Sequence, residues 1–74
     1  MIAQVTEFIT QLVAMGLSRN QVNEKAYDFA LALLHEHEAE GGPITSAMMR
    51  RAVALVKIAW ESIPPVHQFY ETKR

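Results

Sequence analysis

His35-Glu36-His37-Glu38 is the stretch of this sequence whose residue types best suit metal chemistry. Imidazole and carboxylate are common zinc ligands. Spacing argues against a site. On a helix, residues two apart point in nearly opposite directions, so His35 and His37 cannot grip one ion. His35/Glu38 and His37/Glu40 do share a face, but neither pair has an assignable third ligand. The HExxH spacing of zinc hydrolases is absent. The expectation is no metal and an exposed helix end, with His37 on the apolar arc and packed against the third helix.

Catalysis finds no other footing. The chain has no cysteine, hence no thiolate nucleophile and no disulfide framework. It carries no GxSxG elbow and no phosphate-binding glycine loop. The acid pairs Glu24/Asp28 and Glu36/Glu40 lie at i, i+4 on a polar helix face, with no pocket around them. The protein is expected not to be an enzyme and to need no cofactor.

The binding chemistries remain. Aromatics and arginines are enriched where proteins bind one another. Arg50, Arg51, Trp60, Phe69 and Tyr70, with the acids Glu36, Glu38 and Glu40, are the candidate partner-binding residues. Charge is uneven along the chain. Residues 17–40 set Arg19 and Lys25 against five acids, and residues 43–63 set Arg50, Arg51 and Lys57 against Glu61. Complementary packing of neighbouring helices is the simpler account of that asymmetry; a two-sided partner surface is the other. Glu36, Glu38 and Glu40 also crowd a helix C-terminus, where the macrodipole favours cations. Arg50 and Arg51 open the third helix, as basic residues of a recognition helix would. The overall net charge of −1 leaves few phosphate contacts, and those dominate nucleic-acid affinity.

These side chains must be positioned by helices. Val5, Phe8, Ile9, Leu12 and Val13 recur at the helical period, joined by Ile2 and Met15. Gly16 follows as the natural C-terminal residue. Ser18 and Gln21 form a capping-box pattern, flanked by Leu17 and Val22 as a hydrophobic staple. The second apolar face runs through Ala26, Tyr27, Phe29, Ala30, Leu31, Leu33 and Leu34, until Gly41-Gly42-Pro43 ends the helix. Thr45 caps a third helix, with Ile44 and Met49 as a second staple. Its main arc holds Met48, Met49, Ala52, Val53, Leu55, Val56, Ala59, Trp60 and Ile63. Ala47, Ala54 and Ile58 lie on another side. A helix this apolar should be buried on more than one side. Pro64 and Pro65 stop it. Val66, Phe69 and Tyr70 then suggest either a short fourth helix or a flexible tail over 64–74.

The expected fold is all-α. It is a compact three-helix bundle over about 2–15, 18–40 and 45–63, with a short C-terminal helix or tail at 65–73. One domain spans 1–74. Half of the 74 residues are apolar, but no apolar run approaches a membrane span. The opening residues carry no basic targeting region, and a cytoplasmic location is expected.

Leu12 to Val22 resembles the first loop of ubiquitin-associated domains, three-helix modules with a Met-Gly-aromatic turn. The resemblance implies a ubiquitin-binding patch at Met15, Gly16 and Leu17. Leu17 departs from the aromatic of that family, and so does a second helix that continues unbroken to about Glu40.

The expected function is non-catalytic protein binding by a small regulator or inhibitor that masks a surface on a larger protein. It is similar in style to phage- or plasmid-encoded modulators. A symmetric homodimer is expected too, because self-association is a common remedy for a small core. A helix-turn-helix-like nucleic-acid binder is the first alternative, and the ubiquitin-associated-like module is the second.

Overall fold

A computed structural model of the chain describes residues 1–63. Residues 64–74, which hold Phe69, Tyr70 and the expected C-terminal helix or tail, lie outside the described residues. Three helices are formed: α1 (Ile2–Ala14), α2 (Arg19–Glu38) and α3 (Ser46–Glu61). No strand occurs among the described residues. The fold is an all-α three-helix bundle, and each helix bound falls within two residues of the sequence expectation.

Local chemistry explains those bounds. At the end of α1, the Leu17 N–H donates to the Leu12 carbonyl at 3.3 Å, and the Gly16 N–H donates to Val13 at 3.0 Å. That is the Schellman pattern, which requires a left-handed residue at Gly16, where φ is +91°. Two residues on, the capping box closes in both directions. The Gln21 N–H donates to Ser18 Oγ at 3.2 Å, and the Ser18 N–H donates to Gln21 Oε1 at 2.9 Å. Such a cap contributes about 1 kcal/mol. At α3, the Met48 N–H donates to Thr45 Oγ1.

The core is built largely from small side chains. Val22, Ala26, Ala30 and Leu34 form the buried stripe of α2. Met48, Ala52, Val56, Ala59 and Trp60 form that of α3. Val5, Ile9, Leu12 and Val13 complete the core from α1. Ala26, Ala30, Ala52 and Ala59 are all fully buried. Small residues at a helix contact let the backbones approach toward the short end of the usual 8–10 Å interaxial range. The many alanines therefore act through close packing more than through their own apolar area. Trp60, by contrast, brings large area to one end of the core.

Four expectations about faces are corrected. α3 is not buried on more than one side. Ala47, Met49, Val53, Ala54 and Ile58 are exposed, with Val53 57% and Ile58 46% accessible. Among the described residues two helices, α1 and α2, pack on α3, and they cover one arc of its circumference. Met15, assigned to the apolar arc of α1, is 72% exposed because it lies past the last helical residue. His37 does not pack against α3; it is exposed. Leu34 is the last buried residue of α2, and Glu36, His37 and Glu38 after it are all exposed. Ile44 and Met49, placed as a second staple, are also exposed, at 49% and 39%.

Candidate functional site: a groove between the second and third helices

Arg19, Asn23 and Tyr27 are spaced i, i+4, i+8 and therefore form one ridge along α2. They face Val53, Val56, Lys57, Trp60 and Glu61 of α3 across an open groove of about 470 Å³. The two helices run antiparallel: the start of α2 meets the end of α3 at Arg19 and Trp60, and the end of α2 meets the start of α3 at Glu38 and Arg51.

Trp60 organises this groove. It is 5% exposed, and its indole N–H donates to Asn23 Oδ1 at 2.6 Å. A buried indole N–H without a partner is costly, so Asn23 sets the edge that Trp60 turns toward α2. The Arg19 guanidinium carbon sits 4.3 Å from the ring centroid, within cation–π range. One edge and one face of the indole are thereby held by α2, in a fixed orientation. Val53 and Val56 supply apolar wall, Tyr27 supplies an aromatic with a polar tip, and Lys57 and Glu61 are exposed beside them.

The opposite end of the same helix pair is polar. Arg51 and Glu38 form an ion pair in which Arg51 stays 59% exposed. The asymmetry of charge between the two segments is thus used, at least here, in packing neighbouring helices. Close by, the His35 ring Nε2 is hydrogen-bonded to the Gly42 carbonyl and pins the turn that follows α2. Gly41 in that turn takes a φ of +75°. Among the described residues, no group of three or more His, Cys, Asp or Glu could hold a metal ion. No helix among them is long and apolar enough to cross a membrane.

The candidate partner-binding residues are therefore split. Trp60 lies at the groove end. Arg50, Arg51, Glu36, Glu38 and Glu40 lie at the other end, nine or ten residues away along α3, about 14 Å at the helical rise. Arg50, Glu36 and Glu40 are exposed, and Arg51 and Glu38 are paired with each other. Phe69 and Tyr70 lie outside the described residues. Sequence reasoning missed Arg19, Asn23, Tyr27, Val53 and Lys57 as groove residues. The ridge spacing of Arg19, Asn23 and Tyr27 was visible, but its partner face on α3 was not. At the turn that resembles ubiquitin-associated domains, Met15 is exposed and Leu17 packs partly against the core.

No known protein family matches the chain, and neither the curated proteins nor the solved structures compared with it contain a match.

Proposed function

We propose that this chain is a non-catalytic protein-binding module, a small regulator or inhibitor that masks a surface on a larger partner, with the groove between α2 and α3 as its contact site. The observation that carries this reading is the groove itself. A fixed tryptophan lies beneath an open apolar wall, and the 57%-exposed Val53 stands at its lip. Anchoring pockets of this make-up, apolar inside and charged at the rim, are where binding energy concentrates in protein interfaces. The pairing of Arg51 with Glu38 supports protein over nucleic acid as the partner, because it sets an acidic helix end beside the arginines that open α3.

The test is affinity capture from a lysate of the source cells with three variants. Val53→Asp and Lys57→Glu should each reduce recovery of the partner at least about tenfold, the effect of losing roughly 1.4 kcal/mol. Glu24→Lys, on the exposed polar side of α2, should leave recovery unchanged. Equal recovery by wild type and Val53→Asp would overturn the assignment of the groove.

A further inference from the structure

The side of α3 turned away from the core carries a second pattern. Ala47, Arg51, Ala54, Ile58 and Glu61 follow one another at intervals of 4, 3, 4 and 3 residues. That is the heptad spacing of a helix–helix seam. All five residues are exposed; Ala47, Arg51, Ala54 and Ile58 line no part of the α2–α3 groove, and Glu61, at the end of the row, borders it.

We infer that this outer face of α3 is the contact surface of an antiparallel homodimer. The argument is self-complementarity. Two copies of α3 crossing antiparallel about position 56 set Ala54 of one opposite Ile58 of the other, twice. The same register sets Arg51 of one opposite Glu61 of the other, also twice. A small residue against a large one fills the seam, and each end closes on opposite charges. A parallel pairing would set arginine against arginine and glutamate against glutamate, so the charges select the antiparallel arrangement. A two-fold contact in which residue i meets j and j meets i is what this register produces.

The charges are placed for it. Among the described residues Glu61 forms no ion pair, and Arg51 keeps 59% of its side chain exposed beside Glu38. The seam spans one helix of 16 residues, about 24 Å, so the interface is small and the dimer weak. Of its five residues this surface shares Glu61 with the edge of the α2–α3 groove, and it does not rest on the function proposed there.

Sedimentation equilibrium of the full chain tests the inference. The mass should rise from 8.4 kDa toward twice that value at high micromolar concentration. Ile58→Asp should hold it at the monomer, and circular dichroism should show the helices intact because Ile58 is exposed. Arg51→Glu should weaken dimerisation at least about tenfold, through two like-charge contacts. Combining Arg51→Glu with Glu61→Arg should restore it. Glu38→Gln, which removes the intramolecular pair alone, and Val53→Asp, at the groove, should both leave the dimer as it is. A chain monomeric at every concentration overturns the inference. So does a dimer that survives Ile58→Asp, one that Val53→Asp abolishes, or charge variants whose single and double forms behave alike.

Discussion

The two ends of the α2–α3 contact join the same pair of helices by different physics. At one end, Trp60 is buried against Asn23 and Arg19, and the contact rests on removing a large aromatic surface from water. At the other, Arg51 and Glu38 meet in solvent, and the contact rests on a screened attraction. Burying an aromatic side chain contributes several times what an exposed ion pair does. The difference teaches that prominent charges in a small helical protein reveal little about where its stability resides. They bear instead on which helices lie next to each other and on what the surface can meet.

The comparison can be broken at its strongest point first. Trp60→Ala should destabilise the protein by about 3–5 kcal/mol, read from the urea midpoint, because it removes a large core side chain and orphans Asn23. If the loss is below about 1 kcal/mol, the groove end does not anchor the bundle.

A subtler change sharpens the account of that end. Asn23→Ala keeps the indole buried but takes its acceptor away. A destabilisation of about 1–3 kcal/mol is expected, with a shift in tryptophan emission as the freed N–H finds water. Trp60 is the chain's single tryptophan, so the emission reports this site alone.

The smallest effect belongs to the polar end. Arg51→Ala should cost no more than about 1 kcal/mol, and raising the salt concentration should erase most of the difference from wild type. A loss that is larger and insensitive to salt would mean that Arg51 acts through its alkyl stem on the bundle, not through its charge.

How far these features were legible in the sequence follows from the range of the interactions behind them. The Ser18/Gln21 box, the Thr45 cap and the Gly16 turn depend on residues within five positions of each other. All three are formed as the residue types indicated. The buried stripes of α1 and α2 were legible for a similar reason, since a helix with one apolar arc can be turned inward in one way. α3 was not. Its apolar residues encircle most of the helix, so periodicity alone could not say which arc its neighbours cover. Trp60 could be recognised as a core or interface residue, but its acceptor is 37 positions away.

The sequence by itself determined three helices, their ends and the absence of a recognisable catalytic or metal-binding motif, because those are properties of neighbouring residues and of side-chain chemistry. Only the tertiary structure decided how α3 is rotated. That rotation leaves Val53 at a groove and Ile58 on an outer face, while Ala52 and Ala59 are buried between them. The reason is geometric. Two neighbouring helices can cover only part of a third, and the choice of arc depends on contacts among side chains that lie far apart in the chain.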